Sequence, residues 1–216
     1  MATAQQLLAR HGLVTREVAG AEGLPGGFSA VYDVFKSLEE SGRVRRGYFV
    51  SGVGAVQFAL PPVLDLLRSL REIPEAPEVT VLAATDPANP YGTFLRWPAQ
   101  DGGVARGPSR SAGAQVVLVD GTLAAFVSRG GRQAWVWLPE AEPERTRLAR
   151  ATAGALALIA ARGLVERRGG MLLEEINGAS AGEHPLALHL VEVGFAPSPL
   201  GFSLRRSALP VTTPHA

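Results

Sequence analysis

The stretch Thr85–Gly92 brings a carboxylate, an amide and a phenol close together, on Asp86, Asn89 and Tyr91. A carboxylate such as Asp86 can activate a water molecule or stabilise positive charge that develops on a substrate. Asp and Asn before proline also initiate turns, because their side chains cap their own backbone. A single Asp without a visible partner favours the turn, and the catalytic acid at Asp86 stays as the alternative.

A second group of candidates is the basic cluster Arg43, Arg45 and Arg46, which Tyr48 follows. Guanidinium groups bind phosphate oxygens, and an exposed aromatic ring can stack on a base. The cluster therefore predicts contact with a nucleic-acid backbone.

Lys36 precedes this cluster, on a segment with the spacing of an amphipathic helix. The polar face of that helix also carries Asp33 and Glu40, and two acids against one base repel a phosphate backbone. One interpretation of this helix is a contact with DNA through Lys36. The alternative is that its surface packs against protein, within the chain or between subunits.

Trp135 and Trp137 alternate along an apolar run, so on a strand they share one face. Such a pair could stack on single-stranded bases. A pair of this kind also fills a core or an oligomer contact, and this second interpretation is the more common one.

The composition excludes several classes of site. The 216 residues include 21 Lys plus Arg, 20 Asp plus Glu and no Cys, for a net charge of +1. Without Cys there is no disulfide scaffold, thiolate metal site or Cys nucleophile, and the four His have no metal-binding spacing. We expect no metal site, no generic nucleic-acid coat and no membrane span, and we predict a soluble cytoplasmic protein.

Three helices and a hairpin must position the basic cluster. Thr15 is suited to cap the second helix, and Gly42 to end the third. This order is typical of a winged helix, a variant of the helix-turn-helix fold. The predicted elements are helices at Ala2–His11, from Thr15 and from Gly27 to Ser41, strands at Val44–Ser51 and Ala55–Leu60, and a further helix at Pro61–Glu72.

The rest of the chain mixes short strands with two helices. Asp120-Gly121, Gly130-Gly131 and Asn177-Gly178 are hairpin signals, and such a meander suits a small barrel or a curled sheet. We predict an α+β fold: a winged-helix domain with a connecting helix (1–72), a β-barrel-like module with accessory helices (73–207) and a tail (208–216). The predicted strands are Val79–Ala83, Gln115–Val119, Leu123–Arg129, Ala134–Leu138, Leu172–Ile176 and Gly201–Arg206, and the helices are Pro143–Ala161 and Pro185–Val193.

Three stretches resemble one family. They contain "GRVRRGYFV" and "QFALP" in the first, "ATDPANPYG" in the second, and "LLEEING" and "LVEVGFAPSPLGFSLR" in the third. Over about residues 5–206 the chain resembles the C-terminal region of the Lhr family, the large bacterial helicase-related proteins of DNA repair.

The resemblance implies a parent protein that translocates 3′-to-5′ on single-stranded DNA, driven by ATP with Mg²⁺, and unwinds duplexes such as RNA:DNA hybrids. The chain has neither GxxxxGK[ST] nor a DExH-type motif, so we expect a fragment that binds no cofactor of its own. The resemblance also implies a likeness to AlkZ-type DNA glycosylases, although their Gln-x-Gln signature is absent and Gln57 stands alone.

Three functions follow from these observations. The first is a non-motor module of the helicase that contributes nucleic-acid contacts and self-assembly as a homo-oligomer. The second is a uracil glycosylase-like module in which Asp86 is the acid and Asn89 and Tyr91 hold a flipped base. The third is a domain that binds only protein. Whether the chain is itself an enzyme stays open at this point.

Overall fold

The chain folds into two compact units. A computed structural model describes residues 1–54, 56–72, 74–99, 107–165 and 170–204. The first unit comprises residues 1–73 and 90–97, and the second comprises residues 74–89 and 98–216. Residues 90–97 thus pack in the first unit, whereas the boundary predicted between 72 and 73 placed them in the second. The predicted tail and the end of the last predicted strand lie outside the described residues.

The first unit has the predicted order of helices and hairpin strands, with one additional short strand at Leu13–Val14. Thr15 caps its second helix, since the Thr15 hydroxyl accepts a hydrogen bond from Val18 N. The elements are α1 (Ala2–His11), β1 (Leu13–Val14), α2 (Arg16–Ala21), α3 (Ser29–Glu40), β2 (Arg45–Gly47), β3 (Gln57–Ala59) and α4 (Pro61–Ser69). The three short strands form an antiparallel sheet in the order β1-β3-β2.

Aromatic packing joins the helices of the first unit to its sheet. Phe35 of α3 stacks on Phe58 of β3 with ring centroids 5.2 Å apart, and both side chains are fully buried. Val31 and Leu38 lie on the same buried face of α3, as the i, i+4, i+7 spacing predicted. Burying this face fixes α3 against the hairpin and leaves its polar residues exposed.

The second unit is built on two sheets. Its elements are β4 (Val79–Ala83), β5 (Gln115–Val119), β6 (Thr122–Val127), β7 (Gln133–Val136), α5 (Glu144–Val165), β8 (Met171–Leu173), β9 (Glu175–Ile176), β10 (Ala179–Ser180), α6 (Ala187–Glu192), β11 (Ala196–Ser198) and β12 (Gly201–Leu204), with a 3₁₀ turn at Ala181–Glu183. The larger sheet has the order β10-β9-β7-β6-β5-β4, and the smaller has the order β11-β12-β8.

Neither sheet of the second unit closes on itself within the described ranges, so the predicted barrel is not confirmed. The reason lies at Glu174, where the predicted strand Leu172–Ile176 divides. Its first half, β8, pairs with β12, while its second half, β9, pairs in parallel with β7. The chain therefore passes from one open sheet to the other at this residue.

The core of the second unit forms where α5 packs against these sheets. Small side chains let the helix approach closely, and Ala153, Leu156 and Ala160 are almost fully buried. Thr152 is buried too, and its hydroxyl donates a hydrogen bond to Leu148 O at 2.7 Å. No helix in the described part of the chain is both long enough and apolar enough to span a membrane.

Candidate nucleic-acid interface

The described part of the loop between β2 and β3, here called the wing (residues 48–54 and 56), is organised by one buried side chain. Gln57 is 1% exposed. Its Oε1 accepts hydrogen bonds from Phe49 N at 2.8 Å and Val50 N at 2.9 Å, and its Nε2 donates to Val50 O at 2.7 Å. These bonds replace strand pairing, which is why β2 ends at Gly47 instead of the predicted Ser51.

The wing is also fastened to α2. Glu17 Oε1 accepts a hydrogen bond from Gly54 N at 2.9 Å. Burial acts to raise the pKa of Glu17, but hydrogen bonds from Thr15 and Gly54 outweigh it, and the pKa is lowered. Glu17 is therefore a carboxylate at neutral pH and holds the wing as a charged acceptor.

The three predicted phosphate contacts lie at the base of the wing and are all exposed. Arg43 makes no side-chain hydrogen bond or ion pair with any described residue. Arg45 donates one long hydrogen bond, of 3.4 Å, to Gly42 O. Arg46 forms an ion pair with Glu39 of α3, with Nε and Oε1 3.3 Å apart. Arg43 and Arg45 are thus available to a ligand, and Arg46 is partly neutralised.

Tyr48 and Lys36 extend this surface. The Tyr48 side chain is 81% exposed at the start of the wing. Lys36 is exposed on α3, but Asp33 and Glu40 of the same helix are exposed as well. Cations are therefore concentrated at the wing base, and α3 itself presents a mixed charge.

The loop that contains Asp86 is a structured turn of the second unit. Asp86 Oδ1 accepts a hydrogen bond from Ala88 N at 2.8 Å, the turn geometry that Asp-Pro predicted. Asn89 is fully buried, and its Nδ2 donates to Ala84 O at 2.9 Å. Asn89 therefore belongs to the scaffold of the loop, and it is not on a surface that could hold a base.

Arg110 holds the same loop from outside, a role that the sequence did not indicate. Its guanidinium donates to Asn89 O at 2.7 Å, to Asp86 O at 3.0 Å and to Thr85 O at 3.2 Å. An arginine binding backbone carbonyls far away in sequence leaves no local pattern, so only the folded chain reveals it. Tyr91 belongs to the first unit, where it stacks on Trp97 at 6.0 Å.

The two tryptophans differ in their surroundings. Trp135 is 6% exposed and packs edge-to-face on Phe126 at 5.6 Å, so it is a packing residue and cannot stack on a base from solvent. Trp137 lies just beyond the end of β7, is half-buried and lines a pocket. Sequence alternation placed both on one face of a strand, but the strand ends at Val136.

Comparison with known proteins identifies the family. Residues 1–79 match the family model "Large helicase-related protein, winged-helix domain". The chain is 45% identical over 181 residues to "Lhr helicase/ probable uracil glycosylase" of Mycolicibacterium smegmatis. This chain belongs to the Lhr family. The winged helix and the Lhr resemblance predicted from the sequence are thereby confirmed.

A second Lhr relative, "Lhr helicase/uracil glycosylase" of Escherichia coli K12, is 36% identical over 204 residues. The two alignments cover 82% and 93% of this chain, but only 11% and 13% of the respective Lhr proteins. The chain thus spans about an eighth of the length of the relatives that it matches.

Proposed function

We propose that the chain is a non-motor accessory module of an Lhr-type helicase and contacts nucleic acid through the base of its wing. The observation that carries the proposal is the exposure of Arg43 and Arg45 beside a wing whose backbone is fixed by the buried Gln57. Gln57 fixes the backbone that follows β2, and the exposed guanidinium groups at its base are available to bind phosphates. Tyr48 adds an exposed ring that can stack on an unpaired base.

In the whole protein, the ATP-driven 3′-to-5′ motor and its Mg²⁺ would belong to other regions. The strand that this module meets would then be single-stranded DNA or one strand of an RNA:DNA hybrid. The cytoplasmic location and the kind of strand that is bound both remain predictions.

A salt series tests the proposal. Binding of a fluorescent single strand to the chain should weaken steeply with salt, and Arg43→Ala/Arg45→Ala should reduce the slope of log K against log salt by about 1.4. The control, Arg68→Ala/Arg71→Ala, removes the same charge at the end of α4 and in the turn after it, and should leave the slope nearly unchanged. Equal slopes for the two double variants would show that the wing base is not a phosphate site. No salt-dependent binding at all would favour the protein-only domain.

Base excision is the second candidate function, as the names of both relatives suggest. The turn fixes Oδ1 of Asp86, while Oδ2 makes no hydrogen bond with any described residue, so a positioned carboxylate oxygen is available for chemistry. Incubation with a uracil-containing strand should then produce alkali-labile sites, and Asp86→Asn should abolish them. The control Asp65→Asn, an exposed acid of α4, should keep activity. Full activity of Asp86→Asn would remove Asp86 from the mechanism.

The proposed accessory module also assembles with copies of itself into a homo-oligomer. Leu188 and Val191 on α6 are 75% and 52% exposed, and Leu200 is 67% exposed. Such apolar surface is more often covered than solvated when it is contiguous. Light scattering should show a homo-oligomer that Leu188→Glu dissociates, whereas Leu70→Glu, just after α4, should not dissociate it. A monomeric wild-type chain at about 100 µM, where even a contact of weak affinity is populated, would refute this part.

A further inference from the structure

The outermost strand of the larger sheet has one open edge. β4 is the last strand in the order of that sheet, with β5 on one side and no strand of the described residues on the other. Val79, Thr80 and Ala83 are exposed along it, and Val79 alone keeps 36% of its surface in water. Solvent therefore reaches this edge of the second unit.

β4 differs in length and chemistry from the other edge strands of the described sheets. Those strands are β1, β2, β8, β10 and β11, and each has two or three residues, whereas β4 has five. β2 carries two arginines and β11 a proline, features that discourage pairing with another chain. β4 reads Val-Thr-Val-Leu-Ala, without charge or proline. A long, uncharged edge of strand-forming residues is a template for one more strand.

The hydrogen bonds at the two ends of β4 show which of its backbone groups point outwards. Asp120 N donates to Glu78 O at 2.9 Å, and Ala84 N donates to Ala114 O at 2.8 Å. Because hydrogen-bonded pairs alternate along an antiparallel ladder, the even-numbered residues of this segment face β5. The N–H and C=O groups that point away from β5 belong to the odd-numbered residues Val79, Val81 and Ala83.

This outward series is closed at both ends and is its own complement. Pro77, the preceding odd-numbered residue, has no N–H to donate. Beyond Ala83 the chain turns, since Asp86 N donates to Ala83 O at 2.9 Å, and this oxygen keeps a second lone pair. A two-fold axis at Val81 places Val81 opposite its own copy and Val79 opposite Ala83 of that copy.

We propose that β4 pairs antiparallel with β4 of a second copy of the chain, which joins the larger sheets of the two copies into one. Val81 packs against the core around α5, so the pairing continues this apolar face across the axis. The proposal rests on the proposed self-assembly only for the kind of partner. It uses β4 and none of the exposed residues of α6.

Cysteine cross-linking tests the pairing and its register, since the chain has no Cys of its own. Val79→Cys and Ala83→Cys are made separately, one with a size tag, and mixed at about 100 µM with a one-carbon bis-methanethiosulfonate. In the proposed register their Cα atoms are about 5.5 Å apart. In a dimer of either variant alone, the thiols are offset by four residues, about 13 Å. We expect the mixed dimer to form at least about tenfold faster.

Three further variants give the controls. Val81→Cys lies on the axis and should cross-link with itself as fast as the mixed pair. Leu66→Cys, 56% exposed on α4, should cross-link only at the rate of random collision. Leu188→Glu, added to both chains of the mixed pair, should leave the cross-link in place, because the contact does not involve α6.

A pair of charge variants tests the same register without a covalent bond. Val79→Lys/Ala83→Lys places lysines opposite each other across the axis, whereas Val79→Lys/Ala83→Glu places lysine opposite glutamate at the same exposed positions. With Leu188→Glu present to remove the α6 contact, sedimentation should show the Lys/Glu form dimerising at least about tenfold more tightly. Equal melting temperatures of the two variants would confirm that both are folded.

A mixed dimer that forms no faster than the single-variant dimers would overturn the proposal. So would equal association of the Lys/Lys and Lys/Glu forms. An oligomer that Leu188→Glu dissociates, without the mixed cross-link, would leave the α6 contact standing and remove β4. A mixed cross-link that persists where light scattering finds no α6 contact would support β4 pairing and refute the contact through α6.

Discussion

Glu39 and Arg46 connect the last turn of α3 to the first strand of the hairpin through a 3.3 Å contact between Oε1 and Nε. The two side chains are 27% and 47% exposed, so the pair is open to solvent and worth little to stability. It also places a negative charge beside the cations of the wing base, and we expect this charge to oppose the proposed contact with phosphates.

Removing that negative charge should strengthen nucleic-acid binding. In Glu39→Gln, Arg46 is released, and we expect affinity for a single strand to rise about two- to fivefold at low salt, as for one additional phosphate contact. Fluorescence anisotropy measures this. Asp65→Asn makes the same change of charge at an ion pair on α4 and serves as the control. The same gain in both variants would mean that only net charge matters, and Arg46 would have no special place.

Gln57 should be essential for the shape of the wing. Gln57→Leu keeps the volume but leaves Phe49 N and Val50 N without their acceptor. Each unsatisfied buried group costs about 1–3 kcal/mol, so the free energy of unfolding should fall by about 2 kcal/mol or more. Urea denaturation measures the loss. Gln133→Leu, at an exposed position on β7, should cost less than about 0.5 kcal/mol. If both variants were equally stable, the Gln57 hydrogen bonds would not support the wing.

Acid should weaken the contact between the β5–β6 turn and α5. Arg147 Nη1 donates to Asp120 Oδ2 at 2.6 Å, and Glu78 N donates to Asp120 Oδ1 at 2.8 Å. Burial acts to raise the pKa of Asp120, but these two bonds outweigh it, and the pKa lies below its ordinary value. The stabilisation is therefore fully present above the ordinary value and is lost as pH falls through the folded-state value.

Asp120→Asn isolates this effect, because Asn tolerates the left-handed conformation at this position (φ 49°) and can still accept from Glu78 N. At pH 7 the variant should melt about 2–4 °C below the wild type, as expected for a loss near 1 kcal/mol. The difference should shrink as pH approaches 3. Calorimetric melting curves at a series of pH values follow it, and a difference independent of pH would contradict the role of the charge.

Arg110 should control the order of the Asp86 loop. Arg110→Ala removes donors to three backbone carbonyls, so amide exchange at Ala88 and Asn89 should accelerate by at least about tenfold. Hydrogen-exchange mass spectrometry measures the rates. Arg132→Ala, which breaks only an exposed ion pair with Glu174, should leave this loop unchanged. If Asp86 is the catalytic acid, Arg110→Ala should also lower base release although Asp86 itself is intact.

Local signals predicted much of the fold. The helix Ala2–His11 matches to the residue, and the third helix, predicted from Gly27 to Ser41, spans Ser29–Glu40. Asp120-Gly121 and Asn177-Gly178 form the predicted turns, since Asp120 and Asn177 both adopt positive φ. In each case the responsible physics, side-chain periodicity or a turn preference, acts over a few neighbouring residues.

What the sequence could not show depends on distant partners. β1 has two residues, Leu13 and Val14, which is too short for any periodicity. The division of Leu172–Ile176 between two sheets is decided by its pairing with β12 and β7. The segment has apolar residues on both sides of two central glutamates, and this pattern does not indicate a break. The same holds for the sites: the burial of Trp135, the ion pair of Arg46 and the hydrogen bonds that Arg110 donates to the Asp86 loop all arise from tertiary contacts.

The position of β12 has a consequence for synthesis on the ribosome. β12 is the central strand of the smaller sheet, between β8 and β11, and it contributes Phe202 and Leu204 to the buried core. β8 and α5 are synthesised before β12, so their apolar faces stay exposed until β12 is available to cover them. The second unit cannot complete its core until residue 204 has left the exit tunnel. By then, the elements α1 to α4 and β1 to β3 of the first unit have long been able to pack together.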